Sequence, residues 1–157
     1  MKIFDERSIS NAKQQFPSIV REAAKGYEVI TSNFKSTNPD KVSIISTELF
    51  EEVLNTAYKF QPFIDDDAQG RGFTVSLDEL LIHGEGDTLY NALKDLAENV
   101  YDYASDYLAR IDFFMQIKNR RSHYPYLRRI AGCKDIEQIM EVIAECHTDL
   151  QQAISKI

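Results

Sequence analysis

The sequence predicts an α+β protein of two domains, the first with helices packed on a small antiparallel sheet and the second mainly helical with a short β element. Three observations predict this fold class. Two β-branched runs lie close together before residue 50, whereas apolar residues keep helical spacing over many turns after residue 88. Residues 61–72 contain proline, three aspartates and two glycines, which is typical of a linker. We therefore place the domains at residues 1–60 and 73–157.

The N-terminal domain is predicted to begin with two short helices. Ser10 or Asn11 fits the N-cap of the first helix, which extends to Phe16. Pro17 fits the first turn of the second helix, and Gly26 fits the C′ position that ends it. Residues 27–31 and 41–46 then predict two strands of an antiparallel hairpin, and another helix follows residue 46.

The C-terminal domain is predicted to contain two strands and three helices. Residues 73–77 and 80–83 have strand composition, and the glycines of residues 84–88 predict a turn into a helix. Apolar side chains then keep helical period from Leu89 to Phe114, about seven turns. Tyr124 to Ala131 predicts a short helix, and Asp135 fits the N-cap of a final helix.

Composition bounds the class of protein. Apolar residues make up 43% of the chain and charged residues 27%, which is typical of a folded globular protein. No apolar run is long enough to span a bilayer, and the N-terminus lacks the apolar region of a signal peptide. Cys133 and Cys146 are expected to be reduced thiols. These observations predict a cytoplasmic protein.

Acidic residues are concentrated in the second half of the chain. Residues 1–60 contain eight Lys or Arg and eight Asp or Glu, whereas residues 61–157 contain ten and seventeen. Because nucleic acid repels acidic surfaces, any DNA contact is expected from the first half. The acidic half suits a basic protein partner. The alternative is that the acidity only keeps the protein soluble.

An ordered series of short signals runs through residues 8–54. It consists of Ser8-Ile9-Ser10-Asn11-Ala12-Lys13, Val20, Gly26, Val29-Ile30-Thr31, Val42-Ser43-Ile44-Ile45-Ser46 and Leu49-Phe50. This series resembles the N-terminal domain of Phd/YefM-type antitoxins. The resemblance implies a homodimer that presents both first helices to a palindromic operator. In the second half, Leu80 to Ala92, with Gly84-Glu85-Gly86-Asp87-Thr88, resembles the strand–turn–helix of HicB-type antitoxins.

The resemblance implies DNA contacts from the first helix and from the loop after the first strand. The candidate residues are Ser10, Asn11, Lys13, Gln14, Asn33 and Lys35. Lys13 stands where the family usually has arginine, and lysine is a point charge without the two-pronged grip of a guanidinium. Ser32 and Asn33 replace a second basic residue, and the hairpin loop is longer than usual. These departures allow altered operator specificity or a dimer scaffold that no longer binds DNA well. Without the family, the same polar residues could be a capped, solvated helix start.

The predicted long helix carries more aromatic residues than one apolar stripe needs. They are Tyr101, Tyr103, Tyr107, Phe113 and Phe114. Partly exposed aromatic side chains are typical of partner-binding surfaces, so we predict that these five bind a protein partner. The alternative is a helix covered by core on two sides.

Residues 118–129 contain five basic residues interleaved with tyrosines. Such a segment could bind RNA through phosphate contacts and stacking. It could equally pair with Asp102, Asp106 and Asp112 on the long helix. The acidic surroundings favour internal pairing.

The sequence shows no motif for catalysis or metal binding. The three histidines and two cysteines lack the paired spacing of a zinc site, and there is no nucleophile elbow, phosphate loop or dinucleotide fingerprint. Asp65-Asp66-Asp67 could bind Mg²⁺, but such a run in a linker is usually only solvated. We expect no enzymatic activity and no cofactor.

Together these patterns predict the antitoxin of a type II toxin–antitoxin system. The N-terminal domain is expected to dimerise and bind its operator DNA. The C-terminal domain is expected to neutralise a basic toxin of the ribonuclease class by covering its active site. The alternative is a protein-interaction adaptor that is built on a Phd-like dimer and does not bind DNA.

Overall fold

The computed structural model describes residues 5–33, 35–66 and 70–156, which fold as two compact units. Unit 1 comprises residues 1–53 and unit 2 comprises residues 54–157. Each unit contains helices and a three-stranded sheet. The predicted α+β class is therefore confirmed.

Unit 1 contains a mixed sheet and short helices. Its elements are β1 (Asp5–Ser8), α1 (Ile9–Gln14), α2 (Phe16–Ala24), β2 (Val29–Ser32), β3 (Lys41–Ile44) and the first part of α3 (Thr47–Ala57). β2 and β3 form the predicted antiparallel hairpin, but β1 runs parallel to β2. The prediction of a wholly antiparallel sheet is therefore wrong. β1 was not recognised as a strand because its charged sequence shows no apolar alternation.

The start of α1 and both ends of α2 have recognisable sequence signals. Ser8 caps α1, since its Oγ accepts a hydrogen bond from the backbone N–H of Asn11 at 3.2 Å. The predicted cap at Ser10 or Asn11 is therefore wrong by two or three residues. Pro17 lies in the first turn of α2 as predicted. Gly26 follows α2 with φ +95°, a left-handed value that glycine adopts without steric penalty.

The apolar core of unit 1 is small. Ala12, Ile19 and Val29 form a buried cluster, with Ile44 packed against it. Large apolar side chains of the same unit stay exposed, namely Ile9, Phe16, Val20, Tyr27, Val42, Leu49 and Val53. Unit 1 thus leaves more large apolar side chains in water than it buries in this cluster.

Among its described residues, unit 2 contains an antiparallel three-stranded sheet, five complete α-helices and one 3-10 helix (Arg121–His123). The elements are β4 (Phe63–Asp66), β5 (Phe73–Leu77), β6 (Ile82–Gly86), α4 (Leu89–Ala109), α5 (Ile111–Gln116), α6 (Tyr124–Ile130), α7 (Ile136–Ala144) and α8 (Thr148–Ser155). The strands pair in the order β4-β5-β6. β4 lies inside the segment that was predicted as a linker, residues 61–72. This short edge strand was not recognised because the proline and aspartates of the segment are typical of loops.

Gly84 and Gly86 lie in β6, where the sequence predicted a turn. A Cβ atom on Gly84 would be 2.1 Å from the backbone nitrogen of Leu96, and one on Gly86 would be 2.4 Å from that of Ala92. The glycines therefore allow the backbone of α4 to contact the strand directly. The prediction of a turn is therefore wrong. Glycine is typical both of sharp turns and of places where two backbones approach closely, and the sequence pattern does not distinguish the two.

The predicted long helix breaks into two. α4 ends at Ala109, and Arg110 leaves the helical conformation with φ −126° and ψ 39°. α5 then stacks the ring of Phe114 on Tyr107, with 4.7 Å between the centroids. The predicted final helix is also two helices, α7 and α8. Sequence periodicity did not show the break at Arg110 because apolar residues continue through it.

The core of unit 2 is built around α4. Leu93, Leu96 and Val100 of α4 are buried in one cluster with Val75 of the sheet and Ile139 of α7. Further members of the cluster come from α5, α6 and α8. A core of this size can stabilise a domain of about a hundred residues.

Candidate functional site

The first candidate site is the α1 surface, which we define as Ser10, Asn11, Lys13 and Gln14. All four side chains are exposed. Ala12, which lies between them in sequence, is buried in the core of unit 1. The helix is therefore fixed on one side and presents one cation and three polar side chains on the other. Such groups can contact the phosphates and base edges of DNA.

Asn33 and Lys35 lie in the loop between β2 and β3, and both are exposed. The backbone N–H of Lys35 donates a hydrogen bond to Asn33 Oδ1 at 3.2 Å. This contact forms a local turn of the kind that asparagine favours. The side-chain carbonyl of Asn33 is therefore engaged within the loop, while Lys35 is exposed.

Arg7 is an interacting cation of unit 1 that sequence reasoning missed. Its Nη2 lies 2.8 Å from Glu22 Oε2, its guanidinium also pairs with Asp5, and its Nη1 donates to Gln15 Oε1 at 3.1 Å. The hydrogen bond with Asp5 raises the pKa of Arg7. These partners connect β1 with α2 and offset the charge of Arg7. No spacing rule in the sequence would have indicated this cluster.

Three of the five aromatic residues that were predicted to bind a partner contribute to packing inside unit 2. Tyr107 is fully buried and Phe114 is nearly so. Tyr103 is half-buried, and its hydroxyl hydrogen-bonds with His123 Nδ1 at 2.8 Å. The prediction of an exposed surface is wrong for Tyr107 and Phe114, because the break at Arg110 folds α5 back onto α4.

Tyr101 and Phe113 are the two predicted partner-binding residues that remain exposed. Tyr101 on α4 is 52% exposed and Phe113 on α5 is 55% exposed. The ring of Phe113 packs edge-on against Phe114, and the guanidinium of Arg110 lies 5.7 Å from its centroid. Exposed apolar side chains that occur singly are common on soluble proteins. A role for these two in partner binding stays a prediction.

His123 is buried next to the aromatic residues of α4 and α5. Burial lowers its pKa, and the nearby positive charge of Arg120 lowers it further. The hydroxyl of Tyr107 donates a hydrogen bond to the backbone oxygen of Arg120 at 2.9 Å. The surroundings of His123, a hydrogen-bonded aromatic cluster, therefore favour its neutral form.

Arg129, in the basic segment of residues 118–129, is buried and bonded in unit 2. Its Nε donates to Asn55 Oδ1 at 2.8 Å, and its Nη1 donates to the backbone oxygen of Tyr58 at 2.7 Å and to Glu145 Oε1 at 2.9 Å. Lys59 Nζ lies 2.8 Å from Glu145 Oε2. Burial opposes ionisation of Glu145, but hydrogen bonds from Arg129 and Lys59 outweigh it, so the pKa of Glu145 is lowered.

Arg129 of the basic segment pairs internally, but not with the aspartates of the long helix that the sequence suggested. Asp106 pairs with Arg110, four residues further along the chain. Arg120 lies 5.8 Å from the centroid of the Tyr103 ring. Arg129 is paired with Glu145, near the end of α7, which is distant in sequence. Because Arg129 is buried and paired, it is not available to contact RNA.

A second candidate site is the outer face of the unit 2 sheet. Strand pairing places Phe63, Ser76 and His83 in one row and Asp65, Thr74 and Glu85 in the next. Since alternate residues of a strand point to opposite faces, these six face away from the side on which Gly84 contacts α4. We call these six residues the sheet face. Sequence reasoning missed the sheet face because β4 was not recognised as a strand.

Three further findings concern metal ligands, membrane-spanning helices and the half-buried thiol. Within residues 5–33, 35–66 and 70–156, no group of three His, Cys, Asp or Glu side chains could hold a metal ion. In the same ranges, no helix is long and apolar enough to cross a membrane. Cys133 is half-buried, and burial raises the pKa of its thiol, which makes it a poor nucleophile.

The described geometry defines a class of fold, two compact units that each combine helices with a three-stranded sheet. Sequence comparison then identifies the family. The sequence model of the PHD_like family, described as "Antitoxin of toxin-antitoxin, RelE / RelB, TA system", matches residues 1–146. The chain belongs to this family of antitoxins.

A solved structure shares the fold. It is the crystal structure of the antitoxin part of a proposed toxin/antitoxin system from Syntrophomonas wolfei subsp. wolfei, with a TM-score of 0.73 and 17% sequence identity. The alignment covers 87% of this chain and 94% of that chain. Comparison with curated proteins finds no match. The similarity to the solved structure supports the fold alone.

Proposed function

We propose that this antitoxin neutralises a basic toxin of the ribonuclease class by direct binding through unit 2, and that it regulates its own operon as a DNA-binding homodimer through unit 1. The observation that carries the proposal is the extent of the family match, residues 1–146, which spans both units. Both units are thus parts of one antitoxin architecture. The Phd/YefM assignment of unit 1 and the HicB-like strand–helix element of unit 2 belong to the same proposal.

The excess of exposed over buried large apolar side chains in unit 1 supports the homodimer. Its buried cluster contains Ala12, Ile19 and Val29, whereas seven large apolar side chains of the unit are exposed. A unit of about fifty residues rarely buries enough surface to be stable alone. A second copy that covers part of this apolar surface would add the missing burial.

DNA binding is supported by the α1 surface. Lys13 is exposed, whereas Arg7 is engaged by Asp5 and Glu22. In a two-fold dimer each α1 surface would occur twice, which suits a palindromic operator. Lys13 is therefore the residue whose removal should weaken DNA binding.

The test of DNA binding is a gel-shift titration of the protein on the DNA upstream of its own gene. We expect specific retardation, and Lys13→Ala should weaken it by about tenfold and reduce the salt dependence of binding. Lys25→Ala is the matched control, because Lys25 is an exposed lysine just after α2. Equal weakening by both variants would remove the α1 surface from the proposal.

Toxin neutralisation is tested by growth of cells that express the reading frame next to this gene. We expect the neighbouring protein to arrest growth and the full chain to restore it. Residues 1–60 alone should fail to restore growth, because they lack nearly all of unit 2. Restoration by residues 1–60 would contradict the division of roles between the units.

The second candidate is a protein-interaction adaptor that has lost DNA binding. It is favoured by one observation, the engagement of Arg7 by Asp5 and Glu22, which removes a cation from the vicinity of α1. This alternative predicts no gel shift at any protein concentration below the micromolar range. It also predicts that the neighbouring reading frame encodes no toxin.

A further inference from the structure

We propose that the toxin binds at the sheet face and at the free edge of β4, where an extended basic segment of the toxin adds a strand next to β4. This inference rests on the proposed function and assigns the toxin-binding surface within unit 2. Phe63 is the apolar anchor of the surface, and Asp65 and Glu85 are its charge partners.

One edge of β4 is not paired with any other strand that the structure describes. β4 pairs with β5 through Phe63–Asp66, and the three-stranded sheet has β4 at one end. A strand at the edge of a sheet carries unpaired N–H and C=O groups, which can accept another chain by strand addition. The edge therefore offers main-chain hydrogen bonds to an extended segment.

The charges at this edge select the kind of segment that binds. Asp65 and Asp66 lie on β4 and are exposed, and Glu85 lies in the row of Asp65 with a side chain 71% exposed. Two acidic edges repel each other, so a second copy of this chain is a poor occupant. A segment rich in lysine or arginine is attracted by the same charges.

Exposed apolar side chains lie at the other end of the sheet. Phe63 is 64% exposed and begins β4. Leu81, 68% exposed, immediately precedes β6 and has φ +57°, a left-handed value that is uncommon for leucine. An exposed phenylalanine at one end of β4, with carboxylates at the other, matches a segment that has an apolar residue followed by basic ones.

A groove of about 580 Å³ lies along the acidic end of the sheet. Asp65, Thr74 and Glu85 line it, and Arg71 is the basic residue among its described lining residues. Among the groove's described lining residues, the two carboxylates therefore outnumber the guanidinium. A lysine or arginine side chain of the added strand fits there, because opposite charges at an interface favour association.

The proposal is tested by charge reversal on the full-length chain. Binding to the purified product of the neighbouring reading frame is measured by interferometry at about 0.1 M salt, where exposed charges still interact over about 10 Å. We expect Asp65→Lys with Glu85→Lys to weaken binding at least tenfold, mostly through slower association. The matched control is Glu98→Lys with Asp102→Lys, which reverses two exposed acids on α4 and should change binding less than about twofold. Thermal unfolding of each variant confirms that it is folded.

Hydrogen exchange tests the added strand separately. We expect backbone amides of Phe63–Asp66 that face the free edge to gain protection of at least tenfold in the complex, because strand addition gives them partners. Unchanged exchange in β4 would overturn strand addition.

The charge-reversal experiment has its own outcomes. Wild-type affinity in the sheet-face variant would overturn the proposed surface while leaving toxin binding intact. Loss of binding in the α4 control alone would assign the toxin to α4. If the wild-type chain itself does not bind the neighbouring protein, both this inference and the proposed function fail.

Discussion

Arg129 is the residue on which several parts of unit 2 converge. It bonds to Asn55 and Tyr58, which precede the sheet, and to Glu145 near the end of α7. Its guanidinium also lies 5.7 Å from the centroid of the buried Phe60 ring. A single buried cation therefore joins segments that are more than seventy residues apart in sequence.

Arg129→Met should destabilise unit 2 by about 3 kcal/mol, because it removes a buried donor from the oxygens of Asn55 and Tyr58 and one partner of Glu145. Urea denaturation followed by circular dichroism measures this change. Arg121→Met is the control, since Arg121 is exposed, and should change stability by less than about 0.5 kcal/mol. Equal effects of the two substitutions would show that the contacts of Arg129 add little.

The buried His123 makes the stability of unit 2 depend on pH. Burial and Arg120 lower its pKa in the folded protein below the unfolded value of about 6.5. The unfolded chain therefore binds this proton more readily. The stability that neutral His123 contributes is present above about pH 6.5 and is lost as the pH falls through the folded pKa.

We expect the unfolding free energy to fall between pH 7.5 and pH 5.5, and to fall less in His123→Gln, which cannot take up the proton. Denaturation at the two pH values measures the difference, and an NMR titration of the ring gives the pKa directly. His83→Gln is the control, because His83 is exposed. An NMR pKa at or above 6.5 would contradict the argument.

At the scale of elements, the contact between β6 and α4 depends on two glycines. Gly84→Ala should destabilise unit 2 by about 3 kcal/mol, because the added Cβ would lie 2.1 Å from the Leu96 nitrogen and the helix would have to move. Gly26→Ala is an instructive comparison, since space is open there and only the left-handed φ is strained. It should cost about 1 kcal/mol. Thermal denaturation of both variants measures the contrast, and a Gly84→Ala protein as stable as wild type would show that α4 and β6 tolerate separation.

The elements that the sequence predicted well are those with a local cause. Pro17 and Gly26 bound α2 as expected, the hairpin of β2 and β3 lies within a few residues of its prediction, and Leu89 begins the long helix. The elements that were missed, β1 and β4, are short and carry charged side chains. They become strands because a neighbouring strand supplies hydrogen bonds, and a local pattern does not contain that information.

At the scale of the molecule, the two units differ in how much apolar surface they bury. Unit 2 has an extensive core around α4, whereas unit 1 has a small cluster and many exposed apolar side chains. We therefore expect a fragment of residues 54–157 to unfold at a temperature that is independent of its concentration. A fragment of residues 1–60 should unfold at a temperature that rises with concentration, because dimerisation stabilises it.

Calorimetry at two concentrations that differ tenfold measures both fragments. Val42→Glu in the fragment of residues 1–60 places a charge on the exposed part of β3 and should abolish the concentration dependence if β3 lies in the dimer interface. A monomeric fragment of residues 1–60 with a sharp unfolding transition would contradict the need for a second copy.

The sequence by itself determined the α+β class, the acidic second half, the ends of α2, the N-cap of α7 at Asp135 and the antitoxin resemblance, because composition, capping and spacing are local properties of the chain. It also identified Lys13 as an exposed candidate, since a short polar helix start leaves its side chains in water. Only the tertiary structure decided that Tyr107 and Phe114 are core, that Arg129 pairs with Glu145, and that Phe63, Asp65 and Glu85 share one sheet face. These facts depend on where the chain turns at Arg110 and which strands pair, and both are set by packing between residues distant in sequence.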